Sequence, residues 1–147
     1  MSFLLDTSVI SELVKPAPDN NVIDWLKRTD EASLYLSVLT IGEIEKGIAK
    51  LPASSRREKL ETWVRRDLAE RFRERLLAID GTVAATWGRL AGEAESRGEP
   101  LPVIDGLIAA TGLAHDLTVA TRNIDDFERC GARCFNQIGR ASGRERV

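Results

Sequence analysis

The chain has 147 residues, of which 43% are hydrophobic and 30% are charged, and this composition is typical of one globular domain with a core of its own. Its formal charge of −2 excludes a protein that coats nucleic acid by bulk electrostatics, so any contact with RNA or DNA must come from a local patch. Two cysteines and one histidine are too few for a disulfide framework or a zinc site, and we expect Cys130 and Cys134 to be reduced thiols.

The first predicted element is a short apolar run, Phe3-Leu4-Leu5, which Asp6 ends. This start lacks the basic residues, the long apolar stretch and the small-residue cleavage site of a signal peptide. No apolar run in the chain approaches the roughly 18 residues of a membrane helix. We therefore expect a cytoplasmic protein without membrane contacts, and a buried first strand with Asp6 at its carboxyl end.

Two helices are predicted after this strand. Ser8 is expected to cap a helix over residues 9–14, which the proline-containing segment at 16–18 ends. Asp19 or Asn20 is expected to start the next helix, whose apolar residues recur on one face.

A second strand is predicted over residues 33–38, followed at once by a helix. Thr40 is expected to cap that helix, and Glu43 lies early in it beside an apolar stripe. The stripe consists of Ile41, Ile44, Ile48 and Leu51.

Residues 53–75 form a charged helical segment with eight Arg or Lys and five Asp or Glu side chains. Runs of mixed charge are usually solvated faces, which favours a helical excursion from the core. A patch that contacts RNA is the alternative interpretation of the same charges.

The remaining chain continues the alternation of strand and helix. A third strand at 76–79 is followed by a helix that Thr82 opens and Gly98 ends. Pro102 precedes a helix with Asp105 in its first turn, and its apolar residues recur at helical spacing, among them Ile104, Ile108 and Leu113. A fourth strand at 117–120, a short helix at 125–127 and an edge strand at 133–135 complete the series.

Strands and helices that alternate at these spacings predict an α/β fold with three layers, α/β/α, around a central, mostly parallel sheet of four to five strands. We expect a single domain over residues 1–136. The tail at 137–147 has almost nothing to bury, so it is expected to be disordered or derived from a cloning vector.

Acidic residues cluster at the carboxyl ends of the predicted strands, where ligands gather in open α/β sheets. The candidate catalytic residues are Asp6, Glu43, Asp105, Asn123 and Asp126. Carboxylates that converge in one crevice repel one another, which raises some of their pKa values unless a cation is bound. Oxygen ligands without Cys or His favour Mg²⁺ or Mn²⁺, and such an ion predicts phosphodiester hydrolysis.

Several of these residues also have ordinary structural interpretations. Asp105 in a first helical turn can simply interact with the helix dipole, and Asn123 and Asp126 can be turn residues. Three hydroxyl side chains can hold ligand waters or carboxylates around an ion. They are Thr7, Ser8 and Thr121.

Three stretches of the sequence resemble the PIN domain family, and most closely the VapC-type toxins of bacterial toxin–antitoxin pairs, including the FitB-like branch. They are LLDTSVISEL, YLSVLTIGEIEKGIAKLP and PVIDGLIAATGLAHDLTVATRNIDDF. The resemblance spans roughly residues 3–135 in the family's order and spacing. It implies that Asp6, Glu43 and Asp105 are the metal-binding acids. Asn123 stands where some members have a fourth Asp, and Asp126 is expected to compensate.

The same resemblance implies the toxin of a type II toxin–antitoxin system, an endoribonuclease that uses Mg²⁺ or Mn²⁺ on tRNA, rRNA or mRNA. A small antitoxin would silence it by laying a C-terminal segment across the active-site groove. Homodimers are expected, as are heterotetramers or larger assemblies with the antitoxin. Arg122 and basic side chains of residues 53–75 would hold RNA phosphates.

Two other classes of function stay open at this point. A non-catalytic PIN-like binding or regulatory module would use the same crevice for a partner, and Asn123 in place of an acid favours it. An aspartyl-phosphate enzyme or response-regulator receiver also has an Asp at the end of a parallel strand. It needs a second acid beside that Asp and a Lys after the last main strand, whereas this chain has Thr7 beside Asp6 and Arg122 at the later position.

Overall fold

Five parallel strands form the centre of the protein in the computed structural model, which describes residues 1–136. The strands are β1 (Phe3–Leu5), β2 (Leu34–Ser37), β3 (Leu76–Leu77), β4 (Thr118–Ala120) and β5 (Cys134–Phe135). Their order in the sheet is β3-β2-β1-β4-β5, and each neighbouring pair is parallel. The predicted α/β fold with a mostly parallel central sheet is confirmed.

Helices occupy the connections between successive strands, as parallel pairing requires. They are α1 (Thr7–Ile10), α2 (Asn20–Arg28), α3 (Val38–Ala49), α4 (Ser55–Thr62), α5 (Ala69–Arg71), α6 (Gly81–Ser96), α7 (Val103–Ala114) and α8 (Ile124–Glu128). Short 3₁₀ turns cover Ser11–Val14 and Glu31–Ser33, and a π-helical turn covers Trp63–Leu68. Residues 63–71 therefore continue the helical segment that starts at α4.

The sheet is buried on both faces. Leu5 of β1 packs in a cluster with Val22 of α2 and Ile44 of α3, whereas Leu4 packs in a second cluster with Ile108 of α7. Successive side chains of a strand point to opposite faces, so these two clusters are the two cores of a three-layer α/β/α arrangement. The predicted layers are confirmed.

The charged segment at 53–75 is helical, as predicted, but it is not an excursion from the core. Val64, Leu68 and Phe72 are 1%, 2% and 1% exposed, and all three belong to the cluster that contains Leu5. The segment therefore has an apolar inner face that covers the sheet and a charged outer face. The charges alone did not reveal the inner face, because only a few apolar residues form it.

The predicted cap of α3 is wrong. Ser37, not Thr40, occupies the cap position, and the Ser37 hydroxyl accepts a hydrogen bond from the Leu39 amide at 3.0 Å. Strand β2 ends at Ser37, one residue earlier than predicted, so the helix begins without an intervening turn. Thr40 lies in the first turn, fully buried, and its Oγ1 has no hydrogen-bond partner among residues 1–136.

The caps of α1 and α6 also differ from the predictions. Asp6 occupies the cap position of α1, and Ser8 lies inside that helix. Asp80 caps α6, because its carboxylate accepts a hydrogen bond from the Val83 amide at 2.9 Å, so Thr82 lies in the first turn instead. In both cases an acidic residue that follows a strand takes the place expected for a later hydroxyl residue.

Two expectations concern the chain as a whole. No helix in residues 1–136 combines the length and the apolar character that crossing a membrane demands. The tail predicted to be disordered, 137–147, lies outside the described residues. A single domain over residues 1–136 stays a prediction.

Candidate active site

The carboxyl ends of β1 and β4 meet at the point where the strand order of the sheet reverses. From β1 the chain moves toward β2 and β3 on one side, whereas β4 and β5 lie on the other. The Asp6 amide donates a hydrogen bond to the Ala120 carbonyl at 2.9 Å, so Asp6 and Thr121 leave adjacent strands together. A crevice of this kind is where open α/β sheets bind ligands.

Asp6 lies at the base of this crevice and is 5% exposed. Its Oδ2 accepts two hydrogen bonds of 2.8 Å, from Ser8 Oγ and from Thr121 Oγ1. Thr121 is fully buried and also accepts a hydrogen bond from the Asn123 amide at 2.9 Å. The other carboxylate oxygen, Oδ1, accepts no hydrogen bond from residues 1–136 and is available to a ligand.

Glu43 is held beside Asp6 by the residue that follows Asp6 in the chain. The Thr7 hydroxyl donates a hydrogen bond of 2.6 Å to Glu43 Oε1. Glu43 lies in α3, 36 residues further along, so this contact brings the helix after β2 against the end of β1. Thr7, Ser8 and Thr121 thus hold carboxylates, which is the role that the sequence suggested for these hydroxyls.

Asp105 lies in the first turn of α7, where the negative charges of the other acids act on it. Its pKa is raised, first by burial and then by the negative charges of Asp6, Asp126 and Glu43, which Arg129 partly opposes. These charges act on Asp105 only because they lie near it. The repulsion that the sequence predicted is therefore present at Asp105.

Asp126 and Asn123 lie at the rim of the crevice. Asp126 of α8 forms an ion pair with Arg129, the residue that follows this helix, at 2.9 Å. Asn123 is exposed, and both residues line a groove of about 430 Å³ together with Arg122 and Asp125. Their catalytic roles stay predictions.

Arg122 forms an ion pair with Glu12, a residue that no sequence pattern marked as functional. Its Nη1 donates a hydrogen bond of 2.8 Å to Glu12 Oε2, and Glu12 is only 1% exposed. No signal in the sequence marks Glu12, because its partner lies 110 residues away. Contact of Arg122 with RNA stays a prediction.

The acids lie close enough to interact electrostatically, but they are not arranged as a chelating group. Among residues 1–136, no three His, Cys, Asp or Glu side chains are arranged to hold a metal ion. Instead, the hydroxyl of Thr7 donates a hydrogen bond to a carboxylate oxygen of Glu43, and the hydroxyls of Ser8 and Thr121 donate to one of Asp6. The chemistry of the donor set nevertheless fits a hard divalent cation, because the donors are oxygens and their charges repel.

A second cavity, of about 600 Å³, opens at the amino ends of the strands. It is lined by Ser2, Tyr35, His115, Thr118 and Arg133 among others, and none of the candidate acids contributes to it. Size alone therefore does not mark the functional site, which is identified by its chemistry.

Both cysteines are free, as predicted. Burial raises the pKa of the Cys134 thiol to about 11, with smaller contributions from Glu128 and Cys130. Burial also raises the pKa of Cys130, with the charges of Asp105 and Asp126 adding to it and Arg129 opposing. Thiols with raised pKa values are poor nucleophiles and poor metal ligands at neutral pH.

Replacing Asp105 with Asn is expected to leave the protein at least as stable as the wild type at pH 7. A raised pKa in the folded state means that folding is favoured most when Asp105 is protonated, and that stability falls as the pH rises through that pKa. The Asn variant has no charge at this position and so does not lose stability in this way. Its midpoint of thermal unfolding in EDTA should therefore equal or exceed that of the wild type.

The difference between the two midpoints should shrink below about pH 4, where Asp105 is protonated even in the unfolded chain. Asp24→Asn, at an exposed position of α2, is the matched control and should leave the midpoint unchanged at both pH values. A midpoint of Asp105→Asn clearly below that of the wild type at pH 7 would contradict the raised pKa of Asp105.

Three comparisons relate this fold and site to known proteins. The family model described as PIN domain matches residues 3–132. Toxin FitB of Neisseria gonorrhoeae is 35% identical over 133 residues, which are 90% of this chain and 96% of that protein. VapC ribonuclease Y4jK of Sinorhizobium fredii is 35% identical over 133 residues, which are 90% of this chain and 95% of that protein.

The same likeness holds in three dimensions. A solved structure described as FitAB bound to an IR36 DNA fragment matches with a TM-score of 0.85 and 34% identity. The match covers 92% of this chain and 94% of that chain. The likeness therefore extends over nearly the whole of both chains.

Proposed function

Because this chain belongs to the PIN domain family, we propose that it is the toxin of a type II toxin–antitoxin system and an endoribonuclease that depends on Mg²⁺ or Mn²⁺. The observation that carries this function is the placement of Asp6 and Glu43 together at the carboxyl edge of the sheet, where Thr7, Ser8 and Thr121 hold their carboxylates. Burial and the nearby charges of Asp6, Asp126 and Glu43 raise the pKa of Asp105, which places this fourth acid beside them. The names of two relatives, a toxin and a ribonuclease at 35% identity, support it.

Asp6, Glu43 and Asp105 are the residues that would hold the ion. When bound, a divalent cation would neutralise the charge of the RNA phosphate and activate water for phosphodiester hydrolysis. Thr121 and Ser8 orient Asp6 by donating to one of its oxygens, and Thr7 orients Glu43 in the same way. Fixed orientation of this kind tunes ligand acids for their ion.

Partners follow from the same family membership. FitB is named a toxin, and the solved FitAB structure contains DNA. We propose that a small cognate antitoxin covers the acidic crevice of this protein, and that the chain forms homodimers and larger assemblies with it. RNA is the substrate.

The outer face of the charged segment supplies candidate contacts for RNA phosphates. Five of its cations already have carboxylate partners, namely Arg57, Arg65, Arg66, Arg71 and Arg75. Arg56 and Lys59 form no ion pair within residues 1–136. They lie three residues apart on α4 and line a groove of about 320 Å³ with Val14. Cations without a carboxylate partner are the ones that phosphate can recruit.

Replacing both Arg56 and Lys59 with Gln is expected to raise KM for RNA several-fold and to leave kcat within about twofold. Loss of two phosphate contacts should also reduce the slope of log affinity against log salt by between about 1 and 2. Initial cleavage rates at several salt concentrations measure both effects. Arg66→Gln, whose partner Asp67 satisfies its charge, is the matched control in the same segment. Equal effects of the double variant and the control would contradict this assignment.

The experiment that tests the function in cells is a map of new RNA 5′ ends after expression without an antitoxin. We expect discrete new ends and growth arrest with the wild type, and neither with Asp105→Asn. Ends that appear equally with both proteins, or with neither, would contradict an endoribonuclease.

A binding or regulatory module is the second candidate, and two observations favour it. Asn123 takes a position where the resemblance predicts an acid in some members, and no three acids among residues 1–136 form a chelating group. Such a module would bind its partner equally well in EDTA and would cleave no RNA with Mg²⁺ or Mn²⁺.

A further inference from the structure

Glu12 is a buried carboxylate that the proposed reaction does not use. Its Oε2 accepts hydrogen bonds from Lys15 Nζ at 2.5 Å and Arg122 Nη1 at 2.8 Å, and its Oε1 accepts one from the Asp19 amide at 2.8 Å. Burial alone would raise its pKa, but these donors and the two positive charges outweigh burial and lower it. Glu12 is therefore an ionised group in the interior, which folding tolerates only because it is fully partnered.

The partners of Glu12 connect it to Asp6. Arg122 is the residue after Thr121, whose hydroxyl donates to Asp6 Oδ2. The backbone amide of Arg122 donates to Ser8 Oγ at 3.1 Å, and Ser8 donates in turn to the same Asp6 oxygen. The two hydroxyls that orient Asp6 are thus both attached to the stretch that Glu12 holds in place.

The arrangement joins two segments that are far apart in the sequence. Residues 6–15 contain Asp6, Ser8 and Glu12, whereas residues 121–123 follow β4. The ion pair between Glu12 and Arg122 is the charged link between them. Arg122 Nη2 also lies 3.8 Å from Asp19 Oδ2, so a second carboxylate near the amino-terminal segment pairs with the same guanidinium.

We propose that Glu12 and Arg122 are positioning residues, a clamp that holds residues 121–123 against α1 so that Ser8 and Thr121 orient Asp6 toward the bound cation. This role rests on the metal-dependent function proposed above. It assigns Arg122 a task other than contact with RNA phosphate. The guanidinium is already paired with a buried carboxylate, and its displacement would leave that charge without its partner.

The test is a calorimetric titration of the purified full chain with Mn²⁺, without RNA. Glu12→Gln is expected to weaken Mn²⁺ binding about tenfold, the lower end of the effect of changing a residue that supports a metal ligand. Binding of a short RNA, measured in EDTA, should stay within about twofold of the wild type. Glu31→Gln is the matched control for Mn²⁺ binding, because Glu31 pairs with Arg71 and Arg75 before β2, at the amino end of the sheet, and its Mn²⁺ affinity should be unchanged.

Arg122→Met distinguishes positioning from RNA contact. A clamp predicts that this variant loses Mn²⁺ affinity as Glu12→Gln does and keeps its affinity for RNA in EDTA. The reverse pattern, weaker RNA binding with unchanged Mn²⁺ affinity, would overturn the clamp and make Arg122 a phosphate contact.

Ser8→Ala keeps the test decisive if Glu12→Gln does not fold. This small change removes the bridge between the Arg122 amide and Asp6, and it is expected to lower Mn²⁺ affinity in the same direction. Mn²⁺ affinity equal to that of the wild type in both Ser8→Ala and Arg122→Met would overturn the clamp. A wild type that binds no Mn²⁺ at all would instead overturn the metal-dependent function itself.

Discussion

Replacing Asp6 with Asn is expected to reduce RNA cleavage by at least about 100-fold, which corresponds to about 2.7 kcal/mol of transition-state stabilisation. Asp6 is buried at the base of the crevice, and its free oxygen is the one available to a cation. An amide at this position keeps the shape of the side chain but removes the charge that would hold the ion. The initial rate of cleavage of a labelled RNA measures the loss.

The fold should survive this change. The carbonyl oxygen of Asn can still accept the hydrogen bonds from Ser8 and Thr121, so the thermal midpoint should stay close to that of the wild type. Asp116→Asn is the matched control, because Asp116 pairs with Arg133 before β4, at the opposite end of the sheet. Its backbone has φ of 56°, which Asn adopts readily. Cleavage by Asp6→Asn at the rate of this control would contradict the assignment.

Removing divalent cations is expected to abolish cleavage as completely as the Asp6 variant does. Burial and the neighbouring negative charges of Asp6, Asp126 and Glu43 raise the pKa of Asp105, and RNA phosphate would add to the repulsion among these charges. Dialysis against EDTA should therefore stop cleavage, and either Mg²⁺ or Mn²⁺ should restore it in the wild type. Asp6→Asn should stay inactive at every concentration of the ion.

Cleavage that continues undiminished in EDTA would contradict a metal-dependent reaction. The same preparation of Asp6→Asn, assayed in parallel, shows whether such cleavage belongs to this site. If the wild type still cleaves RNA in EDTA and Asp6→Asn does not, then Asp6 belongs to the active site but the reaction does not need a divalent cation.

The fold could be predicted from the sequence because its signals are local. The apolar run at 3–5, which ends at Asp6, and the mostly apolar stretch at 117–120, which ends at Thr121, predict buried strands. Helices separate the predicted strands, which leads to a parallel sheet. The position of the candidate acids at strand ends follows from the same order. The sequence therefore predicts that these acids lie at the carboxyl edge of the sheet.

Helix ends were less predictable, because a cap depends on where the preceding strand stops. The pairing of Ser37 with Leu77 in β3 is part of what sets the end of β2, and no local pattern shows it. Ser37 and Thr40 are both good capping residues, so propensity alone could not choose between them. Ser37 became the cap once the strand ended there.

Both ends of α7 are exposed because this helix is longer than the strand that buries its middle. Ile104 and Leu113 recur at helical spacing with Ile108, yet they are 36% and 39% exposed, whereas Ile108 is fully buried. A helix of 12 residues is about 18 Å long, while the three-residue strand β4 spans only about 10 Å. The ends of the helix therefore extend beyond the sheet that buries its middle.

Glu12 could not be predicted at all. It lies within a short 3₁₀ turn, and its partner Arg122 becomes a neighbour only when β1 and β4 pair in the sheet. A buried ion pair between distant segments leaves no periodicity or spacing in a single sequence. Only the folded chain reveals it.

We propose that Asp6, Glu43 and Asp105, from three separate segments, bind one divalent cation. The measurement that tests it most directly is the anomalous scattering of Mn²⁺ in crystals of the purified protein. We expect a peak in contact with carboxylate oxygens of all three residues, at roughly the 2.0 to 2.2 Å typical of small divalent cations and oxygen. A peak elsewhere, or no peak in this crevice at a Mn²⁺ concentration that supports cleavage, would contradict the claim.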